Sequence, residues 1–254
     1  MGLSTIILAA GQGTRMRSDL PKVLQPLAGR PLLGHVLDCA AALSADDVCV
    51  VYGHGGEAVR NAFPADSLRW ALQAEQLGTG HAVQQAMPET PVDNRVLVLF
   101  GDVPLLTPAT CQRLVDETPT TDVAVLTVDM DDPAGYGRII RDGDNVSRIV
   151  EEKDASPAEK SVVEINTGVL LCPADKLKQW LDNLGNDNAQ GEYYLTDVIA
   201  MAVGDGVTVH GIKAGTWTEV MGINDKKQLA EAERALQARL VDELMKQGVG
   251  FADP

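Results

Sequence analysis

Short apolar runs alternate with amphipathic segments along the first part of the chain. Residues 4–10 form an almost unbroken apolar run of strand length, residues 32–43 carry apolar side chains at helical spacing, and residues 48–52 again suit a buried strand. The pattern then predicts a short helix near 57–62, strands at 68–72 and 96–100, and a helix at about 79–87. This alternation predicts an α/β fold, in which a mostly parallel, Rossmann-like sheet carries helices on both faces.

The pattern changes after a strand predicted at residues 123–128. Residues 129–135 are polar, and an Arg-Asp-Gly-Asp-Asn turn signal at 141–145 lies between two short strand-like runs, which is typical of a hairpin. We therefore expect a small β-rich lobe over the cleft. Strands at 165–171 and 207–212 and helices at 175–184 and 195–203 follow. Leucines at helical spacing from Asp225 to a stop at Gly248 predict a long C-terminal helix, so we divide the chain into a body, 1–224, and a helical arm, 225–254.

Three loops with chemically useful residues follow predicted strands, at residues 11–15, 73–80 and 101–102. In parallel sheets, ligands bind beyond the carboxyl ends of the strands. We therefore expect these three loops to meet in one cleft.

The first of these loops has the composition of a phosphate-binding turn. Gly11 and Gly13 lack a Cβ and allow the backbone N–H groups to approach an anion, while Arg15 and Lys22 supply positive charge. The loop is neither a dinucleotide fingerprint, because Met16 replaces the third glycine, nor a P-loop. A glycine turn without a ligand is the alternative, although two neighbouring cations repel unless an anion or acidic groups lie between them.

Asp102 follows an apolar strand and a glycine, at the rim of the predicted sheet. A carboxylate there could hold Mg²⁺, which needs only one or two protein oxygens in addition to water and substrate phosphates. The alternative is an aspartate that caps the turn before Pro104. By position alone, Asn224 is the N-cap of the last helix.

Composition limits the partners of this protein. The 254 residues carry 36 acidic and 21 basic side chains, and the net charge of -15 argues against nucleic acid and anionic membrane surfaces as partners. The chain enters its first strand without a secretory leader pattern and has no long apolar span, so we expect a cytoplasmic protein. The cysteines lack metal-ligand spacing, and we expect them to be buried, idle thiols: Cys39, Cys49, Cys111 and Cys172. We expect the histidines to have structural or surface roles: His35, His54, His81 and His210.

The LAAGQGTRM segment at 8–16, with the Pro-Lys pair seven residues beyond Arg15, resembles the sugar-nucleotide pyrophosphorylases. Within them, the chain is most similar to the N-terminal uridylyltransferase domain of the bifunctional GlmU family. Further segments match in the family's order and spacing: QAEQLGTGH (73–81), GDVPL (101–105), GYGR (135–138), VEEKD (150–154), EINTG (164–168), GEYYLTD (191–197) and GIN (222–224). The resemblance implies the nucleotide-diphospho-sugar transferase fold over essentially the whole chain.

The resemblance also implies a site and a reaction. Uridylyl transfer from UTP to N-acetylglucosamine 1-phosphate would give pyrophosphate and a precursor for peptidoglycan and lipopolysaccharide synthesis, with Arg15, Lys22 and Asp102 as catalytic residues. Asp102 and Asn224 would hold Mg²⁺. The nucleotide would contact Leu8, Ala9, Ala10, Gly11, Gln73, Gly78 and Thr79. The sugar would contact Phe100, Gly101, Tyr136, Gly137, Glu151, Asn166, Tyr194 and Thr196.

The sequence departs from the family pattern at Gln12, where lysine is frequent, and at Phe100, where tyrosine is common. It ends at Asp253-Pro254, about where the family continues into a β-helical acetyltransferase domain, so we expect no acetyl transfer by this chain and a monomer or weak oligomer. Two alternatives stay open: a sibling pyrophosphorylase for another sugar phosphate or nucleotide, and a noncatalytic nucleotide-sugar sensor. The compact spacing from Arg15 to Lys22 argues against the sibling, and the intact set of charged residues argues against the sensor.

Overall fold

A computed structural model of the chain describes residues 1–53, 55–65 and 67–253. His54, for which the sequence predicts a structural or surface role, lies outside the described residues, as do Asp66 and Pro254.

The strands alternate with helices as the sequence pattern predicts. The strands are β1 Leu3–Leu8, β2 Pro26–Leu27, β3 Arg30–Pro31, β4 Asp47–Tyr52, β5 Leu68–Leu72, β6 Arg95–Phe100, β7 Val123–Asp129, β8 Arg138–Asp142, β9 Asn145–Val150, β10 Glu164–Pro173 and β11 Val209–Lys213. The helices are α1 Leu32–Ala42, α2 Gly56–Ala62, α3 Thr79–Ala86, α4 Pro108–Glu117, α5 Pro157–Lys160, α6 Ala174–Asp182, α7 Asp197–Gly204, α8 Trp217–Val220 and α9 Lys226–Lys246. Helix α4, which begins at a Thr107 cap, is an element that the sequence pattern did not predict.

The main sheet has the strand order β11-β7-β10-β6-β1-β4-β5. Its pairs β1–β4, β1–β6, β4–β5 and β7–β11 are parallel, which confirms the predicted α/β fold. Strand β10 runs antiparallel to both β6 and β7. The predicted hairpin is present as β8 and β9, and it joins the main sheet through β10.

The core lies on both faces of this sheet. Neighbouring side chains of a strand point to opposite faces, so fully buried Ile6 and Ile7 belong to different apolar clusters. Helices α3, α6 and α7 cover the Ile6 face, whereas α1 and α4 cover the Ile7 face. The sheet is therefore covered by helices on both sides, and its loops at the carboxyl ends of the strands are left to form the site.

The long C-terminal helix α9 begins after the N-cap Asp225, whose side chain accepts a hydrogen bond from the Gln228 N–H at 2.9 Å. Its first half packs against the body through the buried side chains of Ala232 and Leu236. It ends before Gly248, whose φ of +93° is the left-handed conformation expected of a C′ glycine. Among the described residues, no helix is both long and apolar enough to cross a membrane.

Candidate active site

The glycine loop after β1 brings Lys22 into the cleft. Gly13 has a φ of +61°, and a Cβ at this position would lie 2.5 Å from Lys22 Cβ. A side chain at position 13 would therefore be strained and would displace the lysine. Because Gly13 has no side chain, Lys22 can pack closely against it and reach the cleft. The same lack of a side chain leaves the backbone N–H groups of the loop open to an anion.

Lys22, Asp102 and Asn224 form one cluster, which we call the cation cluster. Lys22 Nζ lies 2.5 Å from Asp102 Oδ2 and 3.1 Å from Asn224 Oδ1. The side chains of Lys22 and Asp102 are only 13% and 15% exposed. A carboxylate oxygen and an amide oxygen thus converge on one positive charge, although the three residues are far apart in the sequence.

Asn224 is available for this cluster because it does not cap α9. The sequence allowed Asn224 to be the N-cap, but Asp225 takes that place. The Asn224 backbone N–H donates to Gln228 Oε1 at 2.7 Å, while its side-chain oxygen faces Lys22. Asp225 therefore caps the helix, while the adjacent Asn224 binds the cation of Lys22.

A first cavity of about 290 Å³ lies against the glycine loop and opens to solvent. All seven residues that the sequence assigned to the nucleotide line it: Leu8, Ala9, Ala10, Gly11, Gln73, Gly78 and Thr79. Lys22 and Asp102 line the same cavity, so the cation cluster forms part of its wall.

Gln73 is the most buried polar side chain of this wall, at 3% exposure. Its Nε2 donates to the carbonyl oxygen of Gly78 at 3.0 Å and contacts His81 Nδ1 at 3.2 Å. Gly78 has a φ of +116°, and a Cβ there would lie 2.6 Å from the Tyr193 carbonyl oxygen. The turn between β5 and α3 is therefore built to present Gln73 to the cavity.

A second cavity of about 210 Å³ adjoins the first. It is lined by most of the residues that the sequence assigned to the sugar: Phe100, Tyr136, Gly137, Glu151, Asn166 and Thr196. Phe100 and Thr79 line both cavities. The two cavities therefore form one continuous cleft that Phe100 and Thr79 divide.

The bulge in β10 shapes the second cavity. The pairing of β10 with β7 shifts between Asn166 and Leu170. Within the bulge, Gly168 has a φ of +89°, and its N–H donates to Asn166 Oδ1 at 3.0 Å. Residues 166–168 thereby turn polar atoms towards the cavity in the middle of a buried strand.

Electrostatics differ between the two ends of the cleft. Burial raises the pKa of Glu151, which accepts a hydrogen bond from Thr196 Oγ1 at 3.0 Å. Burial also raises the pKa of the Tyr136 phenol; Asp102 raises it further and Arg15 opposes the rise. A partly desolvated carboxylate thus lines the second cavity, whereas Lys22 and Asp102 line the first.

Four residues that the sequence assigned to the site do not line either cavity: Asn224, which contacts Lys22 from behind the wall, and Arg15, Gly101 and Tyr194. Arg15 is exposed on the turn Thr14–Met16, although its charge acts on Tyr136. Gly101 is buried, and its N–H donates to the Leu8 carbonyl oxygen at 2.9 Å. Tyr194 is buried at 6% exposure, and its hydroxyl accepts a hydrogen bond from Gln190 Nε2 at 2.9 Å.

The structure adds residues to the cleft that the sequence reasoning missed. Gln76 and Glu192 line the first cavity, and Gln76 Oε1 accepts a bond from Gln12 Nε2 at 3.3 Å. His81, for which the sequence predicts a structural or surface role, contacts Gln73 through Nδ1 at 3.2 Å. Gln76 and His81 belong to the QAEQLGTGH segment, and Glu192 belongs to GEYYLTD. Their position inside these matching segments was the feature of the sequence that could have indicated a place in the cleft.

The cation cluster has the donor chemistry of a magnesium site. Mg²⁺ prefers oxygen ligands. The ammonium of Lys22 already lies at the point to which Asp102 and Asn224 direct their side-chain oxygens. Over residues 1–53, 55–65 and 67–253, no group of three or more His, Cys, Asp or Glu side chains suits a metal. A cation held by two protein oxygens and by substrate phosphates is the kind of metal site that fits these residues.

A family model described as a MobA-like NTP transferase domain matches residues 5–184. The chain belongs to this NTP transferase family. As a member, it is 56% identical over 255 residues to "Bifunctional protein GlmU" of Pseudomonas aeruginosa PAO1, covering 100% of this chain and 56% of the relative. The corresponding protein of Acinetobacter baumannii strain AYE is 52% identical over 254 residues, again 100% of this chain and 56% of the relative.

Solved structures support the same fold for this NTP transferase. A UDP-glucose pyrophosphorylase complexed with UDP-glucose has a TM-score of 0.74 at 15% identity, covering 94% of this chain and 100% of that one. A nucleotidyl transferase from Methanothermobacter has a TM-score of 0.68 at 20% identity, covering 94% and 99%. The resemblance to GlmU that the sequence motifs indicate is confirmed, and the chain spans about half the length of these curated relatives.

Proposed function

We propose that this chain is a sugar-1-phosphate uridylyltransferase. It would transfer UMP from UTP to N-acetylglucosamine 1-phosphate and release pyrophosphate. The observation that carries this proposal is the divided cleft, whose two cavities meet at Phe100 and Thr79 beside the charged cation cluster. Two substrates placed in adjoining cavities would have their phosphates at the boundary between them.

The reaction needs positioning and charge neutralisation more than a general base. The attacking group is a phosphate oxygen of the sugar phosphate, which is already anionic at neutral pH. It would attack the α-phosphorus of UTP, and the bond from this phosphorus to the bridging oxygen of the leaving pyrophosphate would break. Lys22 and Arg15 would neutralise the negative charge on the triphosphate as pyrophosphate leaves.

Asp102 and Asn224 are the residues that would hold Mg²⁺, which supplies further charge neutralisation at the phosphates when bound. Lys22 must leave their oxygens for this to happen, because its ammonium occupies the same position. The released ammonium would then be available to the triphosphate. Metal and nucleotide binding are therefore expected to favour each other.

At the sugar end, Glu151 and Asn166 would bind the hydroxyl and acetamido groups. Hydrogen bonds that involve a charged group contribute roughly 1.5–3 kcal/mol each, so a few such bonds can select one sugar. Thr196 would orient Glu151 through the bond between them. We expect these substrates to be small molecules that the protein meets in the cytoplasm.

Pyrophosphate release from UTP and Mg²⁺ tests the proposal, with N-acetylglucosamine 1-phosphate and glucose 1-phosphate compared as acceptors. Release that depends on the N-acetyl sugar is the expected result. Release with glucose 1-phosphate alone would make the protein a sibling pyrophosphorylase. Tight UTP binding with no release from either acceptor would support a sensor instead.

A further inference from the structure

We infer that His81 is a positioning residue that sets the nucleobase preference of the first cavity by fixing the side-chain amide of Gln73. This inference rests on the proposed function, because it concerns the base of the nucleotide substrate. His81 belongs to the first turn of α3 and has no part in the reaction described above.

The direction of the Gln73 amide follows from its partners. The Gly78 carbonyl oxygen can only accept a hydrogen bond, so the atom 3.0 Å from it is the amide nitrogen. The second hydrogen of this nitrogen points to His81 Nδ1 at 3.2 Å. For this contact to be a hydrogen bond, Nδ1 must accept, and a neutral ring then carries its proton on Nε2.

Both donor hydrogens of Gln73 are thereby used inside the protein. The hydrogen bonds of the described residues include none to its Oε1, and Gln73 lines the cavity. The side chain therefore offers a base an acceptor and no donor. The N3–H of uracil or thymine is a donor and matches it, whereas N3 of cytosine is an acceptor and does not.

The Gly78 carbonyl oxygen makes this arrangement one-sided, and His81 reinforces it. A flipped amide would direct Oε1 at the Gly78 carbonyl oxygen, which can only accept, and would also require the His81 ring to move its proton to Nδ1. Without His81, one contact remains, and the flipped amide that suits cytosine becomes accessible. The Tyr193 ring lies beside the His81 ring, with the two ring centroids 6.5 Å apart.

Three variants of His81 test the inference: His81→Ala, His81→Asn and His81→Gln. The Asn side chain places an amide oxygen near the position of Nδ1 and can accept from Gln73, whereas the Gln amide reaches the position of Nε2 instead. The experiment measures the ratio of affinities for UTP and CTP by direct titration calorimetry, with turnover of each nucleotide measured in parallel.

We expect the UTP to CTP ratio to fall about tenfold in His81→Ala and His81→Gln, and to stay near the wild-type value in His81→Asn. An unchanged ratio in a folded His81→Ala would overturn the inference. An equal fall in all three variants would also overturn it, since it would indicate a packing role alone. Binding is measured separately from turnover, so a wild-type protein that binds UTP without releasing pyrophosphate would fail the proposed function and still test His81.

Discussion

Lys22→Met is expected to raise the affinity of the protein for a divalent cation in the absence of nucleotide. The ammonium of Lys22 now occupies the point where Asp102 and Asn224 direct their oxygens. Any metal that binds there must first displace the lysine from Asp102. Removing the lysine removes this competition, even though the same residue is expected to be needed for turnover.

The size of the effect follows from the contact that is lost. Lys22 and Asp102 are 2.5 Å apart, and their side chains are 13% and 15% exposed, so the small values of exposed ion pairs do not apply. A hydrogen bond between such charged groups contributes roughly 1.5–3 kcal/mol. At about 1.4 kcal/mol for each factor of ten, the metal affinity should rise about 10- to 100-fold.

Titration with Mn²⁺, followed by the electron paramagnetic resonance of the free ion, measures this affinity. Arg15→Met is the matched control, because it removes one positive charge from the same loop without vacating the oxygens of Asp102 and Asn224. It should change the affinity about twofold or less. An equal affinity in the two variants would refute the reasoning. A thermal melt adds a second test: Lys22→Met leaves a mostly buried carboxylate unpaired and should be stabilised by Mn²⁺ more than the wild type is.

Three other substitutions test the cleft. Asp102→Asn keeps the shape of the side chain and should reduce turnover by about 100-fold or more in a protein that still folds, with a lower melting temperature because Lys22 loses its charged partner; near-normal turnover would remove Asp102 from the site. Burial raises the pKa of Glu151 above 4.5, so its charge costs folding free energy as the pH rises through the raised pKa. Glu151→Gln should therefore have a higher melting temperature than the wild type at neutral pH and the same melting temperature below about pH 4. An equal rise in melting temperature at both pH values would contradict this cause. Gly168→Ala adds a Cβ 2.5 Å from Phe100 Cε2 at a φ of +89° and should cost about 1–3 kcal/mol of stability. The substitution should also raise KM for the sugar phosphate more than KM for UTP. A larger rise in KM for UTP would contradict the placement of Phe100 beside the sugar phosphate.

Much of the site could be predicted from local sequence because the loops follow regular strands. The nucleotide residues from Leu8 to Gly11 and from Gln73 to Thr79 lie at the ends of β1 and β5, and parallel strands bring their carboxyl ends to one edge. The thiols were likewise predictable: Cys39, Cys49, Cys111 and Cys172 are free and buried, as their scattered positions without metal-ligand spacing indicated. These properties depend on short-range periodicity and composition.

Other features depended on contacts between distant residues. Position alone predicted Asn224 as the N-cap of α9, and this prediction was wrong because Asp225 takes that place. The side chain of Asn224 contacts Lys22, 202 residues away in the sequence, which no local pattern could show. The apolar run at β10 suited either direction, since its pattern is the same for parallel and antiparallel pairing. The role of His81 depends on the turn at Gly78, which brings two residues of neighbouring elements within hydrogen-bond distance.

The sequence by itself determined the order of the main strands and helices apart from α4, the positions of the loops at the site and the family motifs. The direction of β10, the cation cluster and the orientation of the Gln73 amide were decided by the tertiary structure alone. The physical reason is that periodicity records which face of an element is buried, whereas a hydrogen bond depends on the final positions of both partners.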